Sequence, residues 1–126
     1  MPVTLDHLIL PVNDVERSVT FYTDVLGFTH DGEREPFSVI RVTPDLTLQL
    51  APWGTGGGYH LAFAMAADEF NAAFARVRDR AIPYGDSFHA VGNMRGPGEE
   101  DGARGRGKAV YLDDPSGHLI EIRCYA

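Results

Sequence analysis

The chain has 126 residues, which bounds it to one domain of common size with enough chain to bury a real core. Hydrophobic residues at 44% and charged residues at 23% describe a folded globular chain and exclude disordered, collagen-like and coiled-coil classes. Eleven Lys and Arg against eighteen Asp and Glu leave a formal charge of −7, which repels phosphate backbones, so nucleic acid is not an expected partner.

From the N-terminus, Leu5 to Val12 is rich in β-formers and ends at Asn13-Asp14, which predicts a buried strand. Asp14 is the expected N-cap of a helix of about three turns, because Val15, Val19, Tyr22 and Leu26 recur at helical spacing and Gly27 suits a left-handed stop. Short strands are expected at Phe28 to Gly32, Phe37 to Thr43 and Leu46 to Ala51, separated by Glu33-Arg34-Glu35-Pro36 and Pro44-Asp45. A glycine-rich linker follows over 52–58. The same order then begins again: a strand at Tyr59 to Met65, and a helix capped by Asp68 with Phe70, Phe74, Val77 and Ala81 at helical spacing. Strands near Ile82 to His89, Ala109 to Asp113 and His118 to Tyr125 close the second unit. No apolar run approaches the roughly 20 residues needed to span a bilayer. Cys124 has no partner for an intrachain disulfide, and the first residues carry no signal-peptide pattern, so a cytoplasmic location is expected.

The chain therefore reads as a duplication. His60 follows His7 by 53 residues and Asp68 follows Asp14 by 54, and each His opens its unit. The expected fold is α+β, one domain over 1–126 built of two βαβββ modules (1–51 and 59–126) that form a cupped, barrel-like mixed sheet.

Strand parity then sorts the polar residues. Gln49 shares a face with Thr47 while Leu46, Leu48 and Leu50 take the other, His60 opposes Leu61 and Phe63, and Glu121 lies between Ile120 and Ile122. His7, Gln49, His60 and Glu121 are thus candidates to line one concave face. Singly, each is a residue that folds use in cores or on surfaces; a first-strand His twice and a last-strand polar residue twice point together to a metal. Two imidazoles, a carboxylate and an amide oxygen suit one divalent ion (Fe, Ni, Zn, Mn or Co) with positions left open for chemistry. Such a centre acts as a Lewis acid toward an enediolate, an enolate, a catecholate or bound oxygen.

Leu5-Asp6-His7 with Phe21-Tyr22-Thr23-Asp24-Val25-Leu26-Gly27-Phe28, and Asp114-Pro115-Ser116-Gly117-His118-Leu119-Ile120-Glu121 near the end, resemble the opening and closing segments of the vicinal oxygen chelate superfamily. That superfamily includes glyoxalase I, methylmalonyl-CoA epimerase, extradiol dioxygenases, and fosfomycin- and bleomycin-resistance proteins. The resemblance implies metal ligands at His7, His60 and Glu121 with Gln49 at the variable fourth position. Epimerase-like members carry glutamine there and bacterial glyoxalase I glutamate, which argues against a true lactoylglutathione lyase. It further implies a homodimer and a metal-dependent enzyme acting on a small substrate chelated through adjacent oxygens. Isomerase or lyase-type proton transfer ranks ahead of dioxygen insertion, since four protein ligands leave fewer open sites. The base for such a transfer is Glu121 acting as the catalytic residue, or Glu33 or Glu35. The alternatives are a metal-free protein that sequesters a drug or toxin, and a fosfomycin-type thiol transferase.

Arg95, Arg104, Arg106 and Lys108 are the candidates for binding an anionic substrate group. They lie in the glycine-rich stretch 92–108, which reads as a mobile lid or gate, or as a solvated loop. Trp53 and Tyr59 flank the linker, where an aromatic wall against substrate, an interface or ordinary packing is expected. His118 is expected to serve its turn, and His30 and His89 to lie on the surface or in loops.

Overall fold

The computed structural model describes residues 2–125; Met1 and Ala126, the ends of the expected 1–126 domain, lie outside the described residues. The chain divides after Gly56 into two compact units. The first holds β1 (His7–Pro11), α1 (Val15–Thr20), a π-helical turn (Phe21–Val25), β2 (Thr29–Arg34), β3 (Phe37–Thr43) and β4 (Leu46–Ala51). Its sheet runs in the order β1-β4-β3-β2, with β1 parallel to β4 and the other pairs antiparallel. The second holds β5 (His60–Ala64), α2 (Ala67–Asp79), β6 (Gly98–Gly102), β7 (Gly105–Asp113) and β8 (Leu119–Cys124). Its sheet repeats the pattern as β5-β8-β7-β6, with β5 parallel to β8. Two βαβββ modules are thus present, each closing a four-stranded mixed sheet. Among the described residues no helix is long and apolar enough to cross a membrane.

The first core gathers Leu10, Val12, Tyr22, Ile40, Leu48 and Leu50, all fully buried; the second gathers Phe70, Val77, Leu112, Ile120 and Ile122. Burying each such side chain is worth about 1.5–3 kcal/mol, so the apolar parity of β4 and β8 fixes which face of each sheet turns inward.

Asp14 caps α1 as expected, its Oδ1 accepting from the Arg17 backbone N–H at 3.0 Å. The expected three-turn α-helix is instead six α-helical residues followed by the π-turn, closed by Leu26 N–H to the Phe21 carbonyl at 3.2 Å. Thr23 supplies a cause, because its Oγ1 donates to the Val19 carbonyl at 2.8 Å and competes with the backbone ladder for that acceptor. Gly27 then takes the left-handed conformation, at φ 86°.

Four expectations in the second module are corrected. The N-cap of α2 is Ala66, whose carbonyl accepts the first helical bond from Phe70 N–H at 2.8 Å; Asp68 lies inside the first turn, where its charge favours the helix dipole. Ala81 lies beyond the helix at φ 54°, in a terminal turn closed by Ile82 N–H to the Val77 carbonyl at 3.1 Å. The strand expected near Ile82 to His89 is reduced to one bridge, Gly85 to Tyr111. The Gly85 backbone lies against the Ala90 carbonyl so closely that any Cβ would overlap it, and the chain doubles back instead of running on. The third strand of the module is β6, inside the stretch expected as a lid or loop, and it pairs with β7 as a hairpin.

Candidate metal centre

In the second module β5 and β8 run parallel with His60 opposite Leu119 and Ala62 opposite Glu121. This register and the two-residue side-chain period put His60 and Glu121 on one sheet face. Glu121 is held in the core strand by Ile120 and Ile122, both fully buried, so a charged group lies where only paired charge is tolerated. Its partners are at hand. His60 Nε2 lies 3.1 Å from Oε1, and the buried Arg123 donates from Nη1 to Oε2 at 2.6 Å. Tyr111, on β7 and paired in register with Glu121, shares its sheet face. Burial, and next the Glu121 charge, push the Tyr111 phenol up to about 12, so it remains a donor.

His60 is half exposed while Glu121 is buried, so the imidazole nitrogen and Oε1 meet at the edge of accessible space. A 3.1 Å separation is the spacing of two neighbouring ligands on one ion with bonds of about 2.1 Å. Imidazole and carboxylate donors also match the borderline transition metals, so these two residues fit a metal. Among the described residues no third His, Cys, Asp or Glu joins them to form a ligand cluster.

In the first module, Asp6 Oδ2 accepts from His7 Nδ1 at 2.7 Å. This hydrogen bond places the ring proton on Nδ1 and leaves Nε2 with its lone pair, the arrangement that orients a ligating histidine. Gln49 sits opposite Ile9 on the face that carries His7, and it lines a polar cavity of about 430 Å³ with Asp6, Asp31 and Arg41. The alternative bases lie in the β2–β3 hairpin, where Glu33 accepts from Ser38 Oγ at 2.5 Å and Glu35 is exposed.

The four candidate cations separate. Arg104 lines a cavity of about 350 Å³ together with Ala62, Glu121 and Arg123. Arg106 and Lys108 line a different cavity, of about 470 Å³, with Phe70 and Cys124. Arg95 is exposed in the loop before β6, its backbone N–H bonded to Asn93 Oδ1 at 2.9 Å. Trp53, 60% exposed, packs edge-on against Phe37 in the first module. His118 is fully buried and serves its turn, with Nδ1 accepting from Tyr59 N–H at 3.2 Å.

Asp6, Tyr111 and Arg123 were not assigned roles from sequence. Arg123 had a readable signal: a charge two residues from Glu121 shares its face, and a cation there inside a buried strand requires an anion.

The family model of the Glyoxalase/Bleomycin resistance protein/Dioxygenase superfamily matches residues 4–122. The chain belongs to this superfamily. It is 28% identical over 130 residues to virulence protein STM3117 of Salmonella typhimurium, covering 96% of this chain and 83% of that protein. It is 29% identical over 126 residues to catechol-2,3-dioxygenase of Bacillus subtilis, covering 90% of this chain but only 38% of that longer protein. The solved structure of oxidase ChaP-H1 superposes with a TM-score of 0.81 at 28% identity, covering 99% of this chain and 98% of that one. The superfamily contains both enzymes and non-enzymatic binding proteins, is often metal-dependent, and typically binds small molecules.

Proposed function

We propose that the protein is a divalent-metal-dependent enzyme that oxidises, with dioxygen, a small molecule held through two adjacent oxygens. The observation that carries this reading is the convergence of His60 Nε2 and Glu121 Oε1 at 3.1 Å beside accessible space. His60 and Glu121 hold the ion, and His7 and Gln49 are the further ligands that the superfamily's pattern implies. When bound, the ion supplies a Lewis-acid centre that favours the anionic form of adjacent substrate oxygens. Asp6 keeps the His7 ring in its ligating tautomer. Ala62 and Ala64, small side chains on β5, leave room in the cavity beside Glu121, and Arg104 at its rim meets an anionic substituent of the substrate. Arg106, Lys108, Arg95 and Trp53 are not needed for that contact. Ligand count alone favours proton transfer; relatives named an oxidase and a dioxygenase, at 28% and 29% identity, favour oxygen chemistry.

The test combines metal analysis of untagged protein with oxygen-electrode assays on a panel of catechols. About one equivalent of transition metal per chain and oxygen uptake are expected, both lost in His60→Ala. A chain that holds no metal and regains none from any of the five dications overturns the enzyme reading. A metal-loaded chain that consumes no oxygen, but exchanges the carbon-bound hydrogen of an α-hydroxyketone with deuterated solvent, overturns oxidation in favour of proton transfer.

A further inference from the structure

The surroundings of Glu121 do more than bury it. Arg123 is 3% exposed and grips with both ends of its fork: Nη1 donates to Glu121 Oε2 at 2.6 Å and Nη2 to the Glu100 carbonyl at 2.8 Å. Its guanidinium stacks 4.6 Å from the centre of the Tyr125 ring, which fixes its plane. On the β6 side Gly102 leaves the space that the group fills, since a Cβ there would overlap both Arg123 Cζ and Tyr125 Oη. The remaining donor, Nε, is buried with no hydrogen-bond partner. Orphaned buried donors are rare in folded proteins, so seating this cation beside Glu121 leaves an uncommon, unsatisfied N–H in the core. From the neighbouring strand, Tyr111 stands in register with Glu121 on the same sheet face, which places its hydroxyl as a second candidate donor to the carboxylate.

We propose that Arg123 and Tyr111 are positioning residues that clamp Glu121, so that Oε1 alone is offered beside His60 Nε2 and Oε2 is withheld. This inference rests on the metal-centre reading above and deepens it. The clamp has two consequences. A carboxylate with one oxygen engaged by a guanidinium is a one-oxygen ligand, which keeps positions free for two substrate oxygens. The buried positive charge also draws electron density from Glu121, leaving a bound ion more electrophilic toward those oxygens.

The experiment uses Co(II) alone as the probe, read by competition titration and by its visible absorption, which reports coordination number and needs no turnover. Arg123→Gln and Tyr111→Phe are each expected to weaken Co(II) binding, by about 10–100-fold for the arginine as for other groups that orient metal ligands, and to change the absorption band shape. Arg123→Lys, which restores the charge but not the two-pronged grip, should recover part of the affinity. If Arg123 acts through Glu121, its substitution has no further effect in a Glu121→Gln background. Tyr111→Phe removes one hydroxyl only and keeps the inference testable should Arg123→Gln fail to fold. Variants that bind Co(II) as the parent does, with the same spectrum, overturn the clamp while leaving the metal centre intact. An equal loss from Arg123→Gln with and without Glu121 overturns it too. A parent chain that takes up no Co(II) overturns the metal reading and the clamp with it.

Discussion

The two modules share one strand order and the same register between their parallel strands, though among the described residues only the first has register shifts in its antiparallel pairs, and they spend their charges differently. In the first, Arg41 pairs with Asp31 with side chains 45% and 28% exposed, so the pair stays open to solvent. In the second, Arg123 and Glu121 pair at 3% and 8% exposure, inside a strand flanked by core isoleucines. The helices differ as well. α1 starts from the Asp14 side-chain cap, and the π-turn that continues it is followed by left-handed Gly27, whereas α2 starts without a side-chain cap and is followed by left-handed Ala81. One topology therefore tolerates two distributions of polar interactions, and the buried one coincides with the candidate metal centre.

Stability measurements can break that contrast. Glu121→Ala strands a buried guanidinium and should lower the unfolding free energy by about 3–5 kcal/mol, against under about 1 kcal/mol for Asp31→Ala, whose pair is exposed. Urea titrations of both variants giving equal losses would dissolve the distinction between the modules. At the helix starts, Asp14→Ala should cost about 1 kcal/mol through loss of the cap, while Ala66→Gly changes stability by only a few tenths, because no side-chain cap exists there to lose. The smallest effect concerns the helix ends: Ala81→Gly should raise the melting temperature, relieving about 1 kcal/mol of left-handed strain that Gly27 already avoids after the π-turn of the first module. A lowered melting temperature in Ala81→Gly would show that the Ala81 methyl makes a contact outweighing its backbone strain.

Sequence patterning located β3 and β4 to the residue because each is a run of β-formers bounded by turn residues. It missed β6, Gly98-Glu99-Glu100-Asp101-Gly102, because nothing in that run alternates apolar with polar. Its place is set by main-chain pairing to β7 and by glycines whose missing Cβ atoms allow close approach to Asp86, Arg123 and Tyr125, which are tertiary facts. The same holds at the site. Parity put His60 and Glu121 on one face, and the structure adds their 3.1 Å approach. Arg123 was readable from its place two residues after Glu121, whereas Tyr111 stayed silent because its meaning comes from the register of β7 against β8.

The entry into the second module carries a last consequence. Gly57 is packed against the Gly117 backbone, Tyr59 N–H is bonded to the His118 ring at 3.2 Å, and Leu119 N–H to the Tyr59 carbonyl at 2.9 Å. This clasp makes residue count, rather than composition, the quantity that the glycine-rich connection must preserve just before β5. A single residue inserted between Tyr59 and His60, with the clasp intact, would turn the imidazole to the helix side of the sheet and bring Leu61 toward Glu121. The spacing from clasp to histidine thus works as a gauge, and the candidate centre is as sensitive to a deletion there as to the loss of a ligand.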